Sequence, residues 1–204
     1  MDNVEKLDKI IGRAVVSFET ANKVGEVSDL LIDPVSGELA GIAVKRPDES
    51  EALVSIIDVH GIGPDAVIVE GEPRMVPAAT SPLRTVPRAK SELIRVNVIT
   101  ERGHLMGNVA NLFLCNSRTP AFIYEVRSSL FDKLLGRAFY FAASLGCALS
   151  DDRSALVVTA EPSKMDHRVE AAAERLLGPI GTAGHPLNSV QVKVRTQRIE
   201  DRPT

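Results

Sequence analysis

Four histidines, two cysteines and three adjacent acidic pairs are the residues of this 204-residue chain with the most capacity for chemistry. A metal centre needs three or four His, Cys or carboxylate ligands converging from fixed spacings. His60, His104, His167 and His185 have no such companions on a shared element, and His60 and His104 read as turn residues. Thiol redox work favours a CxxC spacing. Cys115 and Cys147 stand far apart in apolar runs and read as small buried hydrophobes. Two carboxylates do acid–base work only where a shaped cleft splits their pKa values. Asp48-Glu49, Asp151-Asp152 and Glu200-Asp201 flank turns or termini and read as solvated caps. GIGPD and GPIGTAGHP lack the lysine and the strand-to-helix setting of a phosphate loop. No catalytic residue, metal ligand or cofactor is therefore expected. An enzyme would need a cleft that folding builds around Cys147 or a histidine beside a carboxylate.

Composition narrows the classes further. The chain is 44% hydrophobic and 25% charged, as soluble globular proteins are, with 4% aromatic residues and no Trp. Its cores must be built from Val, Ile, Leu and Ala. Two cysteines are too few for a disulfide scaffold, which fits a cytoplasmic protein. The N-terminus MDNVEKLDK lacks the apolar stretch of a signal peptide. The longest tempting uncharged run, Ala138–Ser150, is 13 residues, against about 20 for a spanning helix. Thus no transmembrane segment is expected, although a peripheral position on the cytoplasmic face of a membrane complex is compatible. Charge is unevenly spread. Residues 1–73 hold six Lys/Arg against fifteen Asp/Glu, a balance of −9, and the remainder holds 18 against 12, a balance of +6. No basic run with interleaved aromatics occurs, so nucleic acid is a disfavoured partner. Arg118, Arg127, Lys133, Arg137 and Arg153 read as an ordinary charged face.

The elements that must position any site come in two copies. Lys23–Val44, KVGEVSDLLIDPVSGELAGIAV, aligns without a gap on Leu105–Val126, LMGNVANLFLCNSRTPAFIYEV. Each copy reads as five short strands with turns between them. In the first these are RAVVSFE, VGEVSDLLID, ELAGIAVK, ALVSI and AVIVEG; in the second, IRVNVITE, MGNVANLFLC, AFIYEVR, AFYFAA and ALVVTAE. The offset of 82 is read from Ala14/Val96 to Val44/Val126, and 89 for the last strand, so the second copy gains seven residues between strands three and four. Gly25 and Gly107 occupy matching places, where a glycine inside a strand marks a bulge or a sharp bend. Short strands with this turn chemistry predict an all-β protein, two small barrels in tandem. The expected domains are 1–73, a Pro-rich linker at 74–91, a second barrel at 92–162, and a C-terminal extension at 163–204. Pro73, Pro77, Pro82 and Pro87 make the linker an extended connector, with Arg84, Arg88 and Lys90 available to an acidic surface. In the extension, SKMDHRVEAAAERLLG has helical spacing from Ser163 to Gly178-Pro179, and SVQVKVRTQRI alternates like a strand.

A strand, a turn, then GEVSDLLIDPVSGELAGIAV and a closing GPDAVIV resemble the PRC-barrel family, over about Ile11–Glu72. The module is similar to that of the photosynthetic reaction-centre H subunit and of the ribosome-maturation factor's C-terminal domain. The second copy, about Glu92–Glu161, departs more: Cys115 replaces Asp33 and the Pro-Val-Ser-Gly turn is lost. The resemblance implies fold, and an interaction or assembly role without a common catalytic site. It leaves three readings: a non-catalytic protein-binding scaffold; a cytoplasmic-face subunit of a reaction-centre-type complex that tunes electron transport; and a ribosome-assembly or RNA-processing factor. The expected partner is a protein, a membrane complex among the candidates, with homo-oligomers open. The candidate interface is the apolar cluster Leu130, Phe131, Leu134, Leu135, Phe139 and Tyr140, which either docks a partner or closes the second barrel as core.

Overall fold

The computed structural model describes residues 4–33, 36–127, 138–142, 147–159 and 166–177. Mainly β, they form two seven-stranded sheets. The first contains β2 (Ala14–Ser17), β3 (Lys23–Ile32), β4 (Leu39–Lys45), β5 (Glu51–Ser55), β6 (Val59–Ile62), β7 (Ala66–Val69) and β8 (Val76–Pro77). Its order is β6-β7-β2-β3-β4-β5-β8. The second contains β9 (Asn97–Thr100), β10 (Leu105–Cys115), β11 (Ala121–Arg127), β12 (Phe139–Ala142), β13 (Cys147–Leu149) and β14 (Ala155–Val158). Its order, β13-β14-β9-β10-β11-β12, repeats the first from β6 to β5; the seventh strand is β8 beside β5 in the first sheet and β1 (Val4–Lys6) beside β10 in the second. In each, the first and last strands pair parallel (β2 with β7, β9 with β14), and all other pairs are antiparallel.

The ladders correct the sequence alignment at one point. Ala14 opposes Glu26 and Val15 opposes Gly25; Asn97 opposes Asn108 and Val98 opposes Gly107. The first strands therefore correspond at an offset of 83, and 82 resumes only at Lys23/Leu105. The missing residue lies in the turn before the second strand. Side chains alternate across a strand, so a one-residue slip would turn every inward residue outward. At offset 83 the inward pairs match: Val15 with Val98 and Ser17 with Thr100, all buried. Two bulges also repeat, at Val24 and Met106 and again at Ser28 and Ala110. They curl the long strands. Gly25 follows the first bulge where a Cβ would lie 2.5 Å from the Lys45 carbonyl oxygen and 2.6 Å from Val44 Cγ1. Gly107, its counterpart, has φ +142°.

The second strand of each copy outruns the first. β2 covers only Lys23–Glu26 of β3, and β9 only Leu105–Asn108 of β10. The rest of each long strand has backbone groups to satisfy, and buried ones must be paired. The lead-in of the other copy supplies them. β1 (Val4–Lys6) pairs with β10, Val4 opposite Cys115 and Lys6 opposite Phe113. The lead-in of the second copy runs along β3: the Ile32 N–H donates to the Pro87 carbonyl at 2.9 Å, and Leu31 bridges to Arg88. A single π-turn, Ala89–Leu93, then presents the N–H groups of Lys90 and Ser91 to the buried Asp29 carboxylate at 2.8 and 3.0 Å. A short helix, α1 (Leu7–Ile10), occupies the corresponding place before β2. Near the start of β4 and β11, Leu39 N donates to Pro120 O and Phe122 N to Gly37 O. One continuous apolar core runs through both barrels, from Leu7 and Ile10 through Leu30, Ile42 and Val67 to Leu112, Phe122 and Val158.

Residues 74–91 lie along the first barrel. β8 edges β5, Ser81 Oγ caps a 3₁₀ turn at Pro82–Thr85, and Leu83, Val86 and Ala78 cover Leu31, Ala43 and Leu53. Arg88 grips Glu51 with two 2.7 Å hydrogen bonds, which hold the Glu51 carboxyl below its ordinary pKa. Over the second barrel, α2 (Val169–Leu177) brings Ala172 and Ala173 against Cys115 and Ile123. The helix begins later than the Ser163 start read from the sequence, and residues 161–165 lie outside the described ones. The C-terminal strand expected at SVQVKVRTQRI also lies outside them. Gly25→Ala should cost about 1–3 kcal/mol, because its Cβ would meet the Lys45 carbonyl and the fully buried Val44 side chain, neither free to move aside. Gly61→Ala, with open space at its Cβ, should stay within about 0.5 kcal/mol. Urea denaturation of the two variants checks this; equal costs would contradict it.

Candidate partner-binding faces

Of the candidate interface residues, Leu130, Phe131, Leu134 and Leu135 lie outside the described residues. Phe139 and Tyr140 open β12 and are half-buried. Phe139 packs against the core and tilts onto His167 with ring centroids 5.5 Å apart. Tyr140 meets the edge of Phe113 at 6.1 Å, exchanges backbone hydrogen bonds with Asp166, and has its hydroxyl pKa raised by burial. Both rings are thus engaged within the chain.

The exposed apolar side chains are elsewhere, and the fold explains where. Each barrel has one outer flank covered by the segment that follows it: 74–91 over β3, β4 and β5, and α2 over β11 and β12. The opposite flank, built on the parallel strand pair, has no such cover among the described residues. On the second barrel a single row crosses four strands there: Leu105 opposite Ile99, Ile99 opposite Val157, Val157 opposite Ala148. Leu105 is 66% exposed and Val157 38%. At about 4.8 Å between strands, the row is about 14 Å wide. Asn97 and Asn108, hydrogen-bonded at 2.7 Å, close it on one side.

The first barrel has the same row in different chemistry. Lys23, Val16, Ile68 and Gly61 take the places of Leu105, Ile99, Val157 and Ala148. Beyond them Phe18 continues β2 and is 65% exposed, its ring stacked on His60 at 4.6 Å and 14°. His60, read as a turn residue from the sequence, sits at a bulge in β6, where Nε2 contacts the Glu70 carboxylate. The Phe18 N–H donates to Val69 O, Glu19 N–H to Glu70 O and Glu70 N–H to Asp58 O. These bonds gather Phe18, Glu19, Glu70 and the 68% exposed Ile57 at one end of the sheet. The exposed Glu72, just beyond Glu70, adds to this acidic rim, whereas Glu26 lies opposite Ala14 at the far end of β2, paired with Lys23 at 2.6 Å.

Comparison with known families bears on this barrel. Residues 2–73 match the family model of the PRC-barrel domain. The first barrel is a PRC-barrel domain. No curated protein is significantly similar to the chain. A PRC-barrel points to a protein-interaction module, and the open flank of this one offers a surface of that kind. The sequence reading missed Phe18, Ile57, Leu105, Ile99 and Val157. A signal for Ile99 and Val157 existed: NVIT and ALVV, like AVVS and AVIV, are apolar at successive positions, so an apolar side chain must point outward as well as inward.

The groups considered for chemistry are placed as follows. Among the described residues no three His, Cys, Asp or Glu side chains gather as metal ligands. His60 stacks on Phe18, His167 meets Phe139 at a tilt, His104 is exposed in the β9–β10 turn, and His185 lies outside the described residues. Asp152 caps its turn, accepting from Ser150 Oγ and from Ser154 N and Oγ, which lower its pKa to about 2. Between the barrels, Ile32, Pro87, Leu93, Tyr124, Leu149 and Leu156 line a void of about 10 Å³, the room one water takes. Cys115 is fully buried, and burial pushes the Cys147 thiol up to about 12. Only thiolates react with disulfide reagents. At pH 8 the native protein should therefore react orders of magnitude more slowly than the urea-unfolded chain. Stoichiometric labelling of native protein at the free-thiol rate would contradict this.

Proposed function

We propose that this protein is a non-catalytic assembly module whose two barrels present unlike docking faces to protein partners. The observation that carries the reading is the pair of equivalent open flanks, one aliphatic around Leu105, Ile99 and Val157, the other aromatic and acidic around Phe18. Solvent-exposed apolar rows of this width mark contact surfaces more often than they persist uncovered. The covered flanks make the contrast sharper, because the chain spends two of its own segments on hiding the equivalent surfaces. Thiols held neutral and carboxylates consumed as turn caps support a role without chemistry. Among the described residues no helix is long and apolar enough to cross a membrane.

In-cell cross-linking followed by size fractionation tests this reading. The wild-type protein should migrate in a complex larger than the single chain. Leu105→Asp with Val157→Asp should release it while the melting temperature stays within a few degrees, since both side chains point to solvent. The complex's other members then decide between a membrane assembly, a ribosomal particle and another protein. A wild-type protein that migrates as a free chain would overturn the proposal.

A further inference from the structure

We infer that the open flank of the first barrel takes a basic segment of a protein partner, with an arginine or lysine laid against the free face of Phe18. The inference rests on the assembly reading above and names the partner chemistry of one of its two faces. Phe18 is the most exposed aromatic among the described residues, and one side of its ring is already occupied by His60. A phenyl ring held in this way presents its other face, whose quadrupole attracts a cation. Two glutamates stand beside it. Glu70 is tied to His60, and the Glu19 carboxylate lies over Gly71. Among the described residues neither Glu19 nor Glu72 has a cationic partner. Val16 and Ile68, half-buried on the same flank, supply an apolar floor beside the ring.

Charge selects the occupant. Residues 1–73 carry a balance of −9, so this barrel repels nucleic acid and an anionic bilayer and draws positive segments. A chain that alternates basic and apolar residues suits the surface: the apolar side chains meet Val16 and Ile68, and the basic ones meet Phe18, Glu19 and Glu70. The equivalent row of the second barrel has Leu105 where the first has Lys23 and lacks the aromatic, so it selects no charge.

The test uses the full chain and a labelled synthetic peptide alternating arginine and valine, read by fluorescence anisotropy, with a glutamate–valine peptide as control. The basic peptide should bind, more weakly as salt rises, and the acidic one should not. Phe18→Ala should weaken binding about tenfold, and Glu19→Gln with Glu70→Gln should weaken it and flatten the salt dependence. His104→Ala, in the exposed β9–β10 turn of the other barrel, should leave it unchanged. Thermal melts of each variant separate loss of binding from loss of fold. No binding by the wild type, or equal binding by Phe18→Ala, would overturn this inference. If the Leu105 and Val157 variants still release the cellular complex, the assembly reading stands without it.

Discussion

A strand longer than its neighbour sets the architecture of this protein. β3 and β10 each extend well past the four-residue strand that begins their barrel, and the excess must find hydrogen-bond partners. Neither barrel provides them from its own residues. The lead-in of each copy pairs instead with the long strand of the other, β1 on β10 and Pro87–Ser91 on β3. Asp29 anchors one exchange by accepting two N–H groups of the incoming π-turn. Arg13 anchors the other: it is buried, hydrogen-bonds the Glu5 carboxylate through both terminal nitrogens, and also reaches the Gly63 and Lys9 carbonyls. A buried charge left without its partner is costly, so each anchor fixes the position of its arm.

From that exchange the rest follows. The barrels are held close enough to share one apolar core, and Leu39 and Phe122 complete the contact with reciprocal backbone bonds. Covering segments then fall on equivalent flanks, and equivalent flanks stay open. Duplication made the two open faces geometrically alike. Divergence made them chemically different, with Leu105 against Lys23, Ala148 against Gly61, and an acidic aromatic end on the first barrel only. The two surfaces are thus alike in geometry and unlike in chemistry, carried on one shared core.

Much of this was legible in the residues. The duplicated strand–turn–strand pattern, the paired glycines and the resemblance of the first copy gave the all-β fold and its repetition. What escaped was set by tertiary structure. β6 was hidden because GIGPD advertises a turn, although its first two residues, Gly61 and Ile62, complete an edge strand. β1 was invisible because three residues carry no period of their own, and they become a strand only when β10 is beside them. The one-residue alignment error arose where Ala14 and Val96 look alike; only the ladder distinguishes them. The site was harder still. Aromatic content drew attention to the 130–140 cluster, whereas the open faces are built on strand residues, Ile99 and Val157 on one barrel and Val16 and Ile68 beside Phe18 on the other, whose outward direction depends on register.

Exchanged lead-ins should bind the two barrels into one cooperative unit. Native-state hydrogen exchange across a urea series tests it most directly, by comparing the amides of β2 and β7 with those of β9 and β14. Both sets should show one unfolding free energy and a single transition. Separate transitions, with one barrel's amides protected after the other's have exchanged, would show that the barrels stand independently and that the exchange is incidental.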